Sequence, residues 1–391
     1  MDLLAGEHRP LRAHRRARRR LRHLPPAPLR RKREAPMRDV AVVGFAQRQM
    51  PVFDGSPTCV ELLVPLFAEC YEQTGWTRRD IGFWCSGSSD YLAGRSFSFV
   101  SAVDAIGVIP PVNESHVEMD LAWALYEAWL KIQTGEVDTA LVYAFGKASA
   151  GVLRRTLALQ LEPYTMTPLW PDTISLAGLQ ARAGIDAGVW DERAMAEVAN
   201  RSLTDAEKNE YAIRKGGSSV EELLSRPMYA DPLRKHDCSP VTDGAAAIVL
   251  AAGDRAREVR DRPAWIGGLA HHIDPISVGT RDLTRAPSAA RSAAALDLDG
   301  VEVAELHAPF SHQELVLRRE LGLADDVRVN PSGGALTSNP MFSAGGIRIG
   351  EAAARIWSGE ASKAVAHATS GPALQQNLLC VLGATTEGAP N

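Results

Sequence analysis

Two runs of buried strands and amphipathic helices follow each other along this chain in the same order, and this repetition limits the folds available to it. The first run begins with "RDVAVVGFAQ" (38–47) and ends with "GAAAIVLAA" (244–252). The second begins with "PAWIGGLAHHI" (263–273) and ends with the apolar stretches "KAVAHATSG" and "NLLCVLGA". Continuous apolar runs bounded by turns are typical of strands that helices cover on both faces. The pattern predicts a layered α/β fold built from two similar halves with mixed sheets.

Domain boundaries follow from the same pattern. We expect an N-terminal half over 37–255, a C-terminal half over 256–391 and a mainly helical insertion at about 152–235 within the first half. Active sites in such folds gather at strand ends and in the loops that follow them.

Residues 1–36 differ in composition from the rest of the chain. They hold 12 of the 43 Lys and Arg residues but only 3 of the 47 Asp and Glu residues, which leaves the remainder with a net charge of −13. The segment has no hydrophobic period, so we expect a disordered basic extension. Such a segment could also contact nucleic acid or an anionic membrane, or serve as an organelle transit peptide. Translation could instead start at Met37. The acidic body gives no support to a nucleic-acid function.

Hydropathy and cysteine spacing narrow the class of protein. No apolar run reaches the roughly 18 residues that a membrane-spanning helix needs, and the N-terminus lacks the hydrophobic centre of a secretory signal. The five cysteines are far apart and form no CxxC pair. We therefore expect a cytoplasmic protein with reduced thiols and neither a disulfide framework nor a structural zinc site.

The stretch "NESHVEMDLAWALYEA" (113–128) places His116, Glu118 and Asp120 at alternate positions just before an amphipathic helix. Three ionisable groups are unusual where a buried strand passes into a buried helix. The pattern could suggest a metal site, but a single cluster without further ligands elsewhere argues against one. A carboxylate at a helix start can also accept hydrogen bonds from the free N–H groups of the first turn.

Three further segments carry a family resemblance. "PLRKHDCSPVTDGAAAIVLAA" resembles the thiolase segment that leads into the last strand of the first half, and "VNPSGGALTSNP" is similar to the Gly-rich thiolase loop. "VEVAELHAPFSHQE" is similar to the histidine-containing strand end of the sterol-carrier-protein-X branch. The match covers nearly all of 38–385 and is nearest to the thiolase-like lipid-transfer proteins of that branch. The resemblance implies the five-layer αβαβα thiolase fold, usually dimeric.

In that family a nucleophilic cysteine stands at the N-terminus of the buried helix. Matching "ALYEA" to the family's helix places Glu118 at this position, so the resemblance implies that the cysteine nucleophile is absent. Glu118 could serve as a general base, as a carboxylate nucleophile or as a helix cap. We favour a helix cap or a place in a polar network, because a carboxylate stabilised at a helix terminus is a weaker base.

Of the family's other catalytic positions, some keep the family's residue type in this sequence and others do not. His307 matches the histidine that helps to build an oxyanion hole, and Asn339 stands where the family's loop has a histidine. Cys380 falls within one residue of the family's second cysteine; a buried structural thiol is the alternative, since a one-residue shift moves a side chain to the other face of a strand. Related retro-aldolases use two tyrosines where we match His307 and Asn339, so their activity cannot simply be transferred.

Four glycines of the loop are candidates for substrate binding: Gly333, Gly334, Gly345 and Gly346. Glycine lets a backbone approach a ligand closely and offer its N–H groups to a thioester carbonyl or a pantetheine arm. Ordinary turn formation is the alternative, and the two roles are compatible.

The resemblance implies an enzyme of lipid or sterol side-chain metabolism that makes or cleaves a C–C bond in an acyl-CoA thioester without a cysteinyl acyl-enzyme. Coenzyme A would enter as part of the substrate, with no permanently bound cofactor. The alternative is a non-catalytic subunit that binds acyl-CoA or supports an active paralogue. Expected partners are a second copy or a thiolase-like paralogue in a dimer, and a small protein with a zinc ribbon and an OB-fold.

Overall fold

The computed structural model describes residues 37–50, 57–93 and 96–386. The basic extension expected at 1–36 lies outside these residues. Within them the chain forms twelve strands: β1 (Val40–Met50), β2 (Phe83–Gly87), β3 (Glu114–Val117), β4 (Thr139–Gly146), β5 (Met228–Ala230), β6 (Leu233–Arg234), β7 (Asp243–Ala252), β8 (Ala264–Ile273), β9 (Val303–Leu306), β10 (Arg328–Val329), β11 (Lys363–Ser370) and β12 (Gln376–Gly383).

The same residues form twelve α-helices: α1 (Cys59–Thr74), α2 (Asp90–Ala93), α3 (Ser98–Ile106), α4 (Leu121–Gln133), α5 (Leu153–Ala158), α6 (Thr173–Asp186), α7 (Glu192–Asp205), α8 (Val220–Ser225), α9 (Gly253–Val259), α10 (Pro287–Ala294), α11 (Ser311–Glu320) and α12 (Ala344–Trp357). None of these helices combines the length and the apolar character that crossing a membrane would require.

Local sequence signals set the helix boundaries. At the start of α1, the Thr58 side chain accepts from the Glu61 N–H, and the Glu61 carboxylate accepts from the Thr58 N–H, which is a capping box. At its end, Gly75 adopts a left-handed conformation with φ of 69°. Helix α1 ends at this residue, because glycine adopts that conformation without a steric penalty.

The sheet shows the repetition that the sequence predicts. Its ten strands run in the order β10-β9-β11-β12-β8-β1-β7-β4-β2-β3. Read outward from the centre, β1-β7-β4-β2-β3 and β8-β12-β11-β9-β10 follow the same order, with two antiparallel pairings and then two parallel ones. The two halves join through the short antiparallel pairing of β1 with β8.

The three largest apolar cores of the described residues lie between the layers. Helices α4 and α12 pack together between the inner faces of both halves of the sheet, and their buried side chains include Leu121, Leu125 and Ile347. Helices α1, α3 and α9 cover the outer face of the first half. Helices α10 and α11, with parts of α6 and α7, cover the outer face of the second half. The five-layer α/β fold is therefore confirmed.

Between β4 and β7 the chain leaves the sheet and forms α5 to α8 and the β5–β6 hairpin. Contacts join the described residues from Met37 onward into one compact unit. The exact limits of the two halves and of the insertion stay a prediction.

The close approach of α4 and α12 requires glycine at Gly346. A Cβ atom there would lie 2.3 Å from Cγ of Leu121, well inside van der Waals contact. We expect Gly346→Ala to lower the free energy of unfolding by about 1–3 kcal/mol, because the two central helices would have to separate. Urea unfolding measures this, with Gly279→Ala as the control, since no atom lies within 4 Å of a Cβ at Gly279. An equally stable Gly346→Ala variant would contradict the close packing.

Candidate active site

A cavity of about 590 Å³ opens where the strands of the second half end. Its walls come from the segments after β9 and β11, from residues 339–342, from the start of α4 and from helices α5 and α6 of the insertion. Many of the lining side chains are apolar: Leu153, Leu157, Leu161, Ile174, Leu176, Phe310 and Leu374. A concave, mainly apolar site with a few converging polar groups is typical of small-molecule binding.

His307 and Asn339 form a hydrogen-bonded pair in the wall of this cavity. The Thr369 N–H donates to Nδ1 of His307 at 3.4 Å. This assigns the imidazole proton to Nε2, which lies 3.0 Å from Oδ1 of Asn339 and donates to it. Burial lowers the pKa of His307 to about 3. The imidazole is therefore neutral at physiological pH and acts as an N–H donor rather than as a source of positive charge.

Asn339 is fixed by its neighbours on the loop from residue 238 to 242. Its Nδ2 donates to Oγ of Ser239 at 3.1 Å, and its backbone N–H donates to Oγ1 of Thr242 at 3.0 Å. These bonds orient the amide with its oxygen toward His307. Nδ2 of Asn339 keeps a second hydrogen beside the one given to Ser239. A carbonyl oxygen entering the cavity could take the place of Oδ1 as acceptor for Nε2–H of His307 and also accept from that second hydrogen.

Asp120 lines the same cavity at the start of α4. Its Oδ1 accepts from the N–H groups of Ala122 at 2.9 Å and Gly346 at 2.9 Å, and its Oδ2 accepts from the N–H of Gly345 at 3.0 Å. One carboxylate thus caps α4 and also bonds the first turn of α12. Burial raises the pKa of Asp120 to about 6, although these three donors act in the opposite direction.

Asp120 and His307 both lie near the end of β11. A Cβ atom at Gly345, whose N–H donates to Asp120, would lie 2.5 Å from Cβ of Ala368. The next residue, Thr369, donates its N–H to His307. The carboxylate and the neutral imidazole therefore stand beside the same strand end and face the same cavity.

Comparison with known proteins gives the family. An acetyl-CoA acetyltransferase from Methanothermobacter thermautotrophicus is 33% identical over 365 residues, which cover 84% of this chain and 93% of the relative. The chain belongs to the thiolase superfamily. No family model matches it.

Two solved thiolase-like structures show the same fold. The structure of an Ltp2-ChsH2(DUF35) aldolase superposes with a TM-score of 0.73 at 16% identity and covers 90% of this chain and 99% of that chain. A monomeric SCP2-thiolase-like protein from Mycobacterium smegmatis gives a TM-score of 0.70 at 19% identity, with coverage of 88% and 77%. At these identities the likeness concerns the fold alone.

The structure does not bring Glu118 into the thiolase-like site. Its side chain is 60% exposed, lies outside the cavity wall and comes within 3.6 Å of Nε2 of His116. Helix α4 begins two residues later than the family match implied, so the expected position of Glu118 at the helix tip is wrong. The buried carboxylate at this helix start is Asp120, and the sequence signal for it is an aspartate directly before "LAWAL".

The four loop glycines serve the protein's own packing rather than the cavity wall. Gly333 and Gly334 have φ of 93° and 64°, and their N–H groups donate to the Asn330 carbonyl and to Oγ of Ser332. Gly345 and Gly346 direct their N–H groups to Asp120. In this structure their N–H groups serve turn formation and helix packing, the alternative given for them, and their role as donors to the substrate stays a prediction.

Cys380 lies within β12 and points into the core around α4 and α12, not into the cavity. Burial raises the pKa of its thiol well above the usual range. This position fits the alternative of a buried structural thiol and does not fit a catalytic role for Cys380. The sequence match missed the loop between β11 and β12, of which residues 369–374 line the cavity. The signal for this loop was the turn sequence "SGP".

Among the residues that the structure describes, one cysteine, Cys238, lies on the cavity wall. Its thiol donates to the Arg234 carbonyl at 3.6 Å, and burial raises its pKa to about 12. A thiol in this state supplies almost no thiolate at neutral pH. The described residues also contain no group of three or more His, Cys, Asp or Glu side chains that could hold a metal ion.

Proposed function

We propose that this member of the thiolase superfamily makes or cleaves a C–C bond in an acyl-CoA thioester, in lipid or sterol side-chain metabolism, without a cysteinyl acyl-enzyme. One observation carries the proposal: the helix start that faces the cavity presents the Asp120 carboxylate, where an acyl-transfer enzyme would need a thiolate. The unreactive state of Cys238 supports it.

In this proposal His307 and Asn339 polarise the thioester carbonyl. Nε2–H of His307 and Nδ2–H of Asn339 donate to the oxygen on which negative charge develops as an enolate forms. Donors fixed in place for a developing charge contribute more to the transition state than to the ground state. A neutral imidazole suits this role, because it keeps its Nε2 proton while the charge develops.

Asp120 is the proposed proton acceptor. With a β-hydroxyacyl-CoA, Asp120 takes the β-hydroxyl proton, the Cα–Cβ bond breaks, and its electron pair moves onto the thioester oxygen. The β-carbon leaves as a ketone or aldehyde, and the proton returns to the α-carbon to give the shorter acyl-CoA. A carboxylate whose pKa burial raises to about 6 is a stronger base than an ordinary aspartate.

The cavity also suits the two ends of an acyl-CoA. The apolar side chains of α5 and α6 contact the acyl group, and Arg154 on the cavity wall accompanies the phosphates of coenzyme A. Coenzyme A is thus part of the substrate, and the mechanism uses no permanently bound cofactor.

We place the protein in the cytoplasm and in the sterol-carrier-protein-X branch, as a dimer of two copies or with a thiolase-like paralogue. The name of one structural neighbour, Ltp2-ChsH2(DUF35) aldolase, includes a DUF35 component. A small zinc-ribbon and OB-fold protein is the partner that we propose to supply when activity is assayed.

A non-catalytic subunit is the second candidate. The observation that favours it is that three backbone N–H groups already occupy the Asp120 carboxylate, as in a purely structural cap. Such a subunit would bind acyl-CoA or support an active paralogue without turning over substrate itself.

The pH dependence of turnover separates these candidates. We expect kcat/KM for β-hydroxyacyl-CoA, measured with the partner present, to fall about tenfold per pH unit below pH 6, because only ionised Asp120 accepts a proton. His307, with a pKa of about 3, should add no further limb between pH 5 and 9. Binding of acyl-CoA without turnover of any β-hydroxyacyl or β-ketoacyl ester would favour the subunit.

A further inference from the structure

The cavity wall carries three cations: Arg154, Arg214 and Lys235. Within the described parts of the chain, no carboxylate lies within ion-pair distance of any of them, although many other arginines of this protein have such a partner. Asp120 is the one carboxylate among the described lining residues, and backbone N–H groups already surround it. The cavity therefore has an excess of positive charge between apolar walls, which attracts anionic ligands.

Arg214 differs from the other two cations in its position. The backbone N–H groups of Ile213 and Arg214 donate to the Thr337 carbonyl at 3.2 and 3.0 Å, and Thr337 precedes Asn339 by two residues. Its Nη1 donates to the Cys238 carbonyl at 2.7 Å. Since the next residue, Ser239, holds the Asn339 amide, the Arg214 guanidinium is fixed to the same loop that orients Asn339.

These contacts use only one of the three nitrogen atoms of the guanidinium as a hydrogen-bond donor. It is half-buried, and desolvation lowers the pKa of Arg214, while the Cys238 thiol, and no carboxylate, opposes the shift. Nη1 bonds to backbone carbonyls, while Nη2 and Nε have no hydrogen-bond partner among the described residues. A guanidinium with two neighbouring free donors matches the geometry of a carboxylate.

The position of Arg214 decides which anion it meets. The whole pantetheine arm separates the thioester from the phosphates of coenzyme A. When the thioester carbonyl lies at His307 and Asn339, those phosphates are far from the loop that holds Arg214. An anion beside the reacting carbons must therefore belong to the acyl group.

We propose that Arg214 binds a carboxylate on the acyl chain, so that the substrates of this site are thioesters of dicarboxylic or otherwise carboxylated acids. This inference rests on the proposed function, because it assumes that the cavity binds an acyl-CoA. The carboxylate accepts from Nη2 and Nε of Arg214, and the thioester carbonyl accepts from His307 and Asn339. The two contacts fix both ends of a short acyl chain.

Isothermal titration calorimetry on the full chain tests this with matched pairs of esters. Succinyl-, glutaryl- and adipyl-CoA are each compared with the monocarboxylic ester of the same carbon count, which are butyryl-, valeryl- and hexanoyl-CoA. We expect at least one dicarboxylic ester to bind roughly tenfold or more tightly than its partner, as a charge-assisted bond in a half-buried site provides. Equal affinity within all three pairs would overturn the assignment of Arg214. Failure of all six esters to bind would instead overturn the proposed function.

Variants identify the residue responsible. Arg214→Gln should remove the tighter binding of the dicarboxylic ester and leave the affinity for its monocarboxylic partner unchanged. Arg154→Gln should lower the affinity for both esters of a pair by the same factor. Arg214→Lys, which keeps the charge but loses the planar pair of donors, should retain part of the preference. The proposal would be overturned if Arg214→Gln lowered the affinity for free coenzyme A as much as the affinity for the dicarboxylic ester, since Arg214 would then bind phosphate.

Discussion

Replacing Asp120 by alanine is expected to lower the free energy of unfolding by about 3–5 kcal/mol, the largest stability change that we predict for this chain. The substitution leaves the buried N–H groups of Ala122, Gly345 and Gly346 without an acceptor. Each unpaired buried donor costs about 1–3 kcal/mol, and two central helices lose their contact at the same point. Urea unfolding at pH 7.5 followed by circular dichroism measures the difference.

Glu118→Ala is the matched control, because it removes a carboxylate two residues away that is exposed. We expect it to change the free energy of unfolding by less than about 0.5 kcal/mol. Equal effects of the two substitutions would mean that Asp120 does not hold α4 to α12. If Glu118→Ala lost more stability than Asp120→Ala, Glu118 would be the residue that caps α4, as the family match implied.

Replacing His307 by alanine is expected to lower kcat/KM for a β-hydroxyacyl-CoA by about 100- to 1000-fold, the usual effect of losing one fixed oxyanion donor. The variant loses the Nε2–H that faces Asn339. His307→Gln, which retains an N–H donor, should recover part of the rate. The reaction is followed by the release of the shorter acyl-CoA.

His312→Ala is a suitable control for this substitution. His312 is also a fully buried imidazole, and burial likewise lowers its pKa to about 3. However, it contacts Gln180 in the outer helical layer and does not line the cavity. His312→Ala should therefore reduce stability without a matching loss in kcat/KM. Unchanged turnover in His307→Ala would remove this residue from the mechanism.

Much of the fold was accessible from the sequence. Strands such as β1 and β7 are buried on both faces and read as continuous apolar runs, and α1 carries both of its end signals, Thr58 and Gly75. The sequence analysis expects a buried strand to end before α4, whereas β3 lies at the edge of the sheet and its four residues, which include Glu114 and His116, are half-buried. Its strand conformation depends on pairing with β2, a contact that is remote in the sequence.

The site was less accessible, and the reasons are geometric. His307 and Asn339 were identified because both stand in recognisable motifs, and the structure brings them together across 32 residues of chain. Glu118 was preferred to Asp120 because the match relied on the middle of α4, whereas the cap residue decides where the helix begins. Arg214 was not identified from the sequence, because the role proposed for it depends on the lack of a carboxylate beside it among the described residues, which only the folded chain reveals.

Mass spectrometry of the intact protein tests the central claim most directly, namely that a carboxylate and not a reactive thiol serves this site. The protein and an acyl-transferring relative are incubated with acetyl-CoA and with a β-ketoacyl-CoA and then quenched in acid. We predict an acyl adduct on the relative and none on this chain, including its one described cavity cysteine, Cys238. An adduct on this chain that disappears in Cys238→Ala would contradict the claim and indicate ordinary acyl transfer.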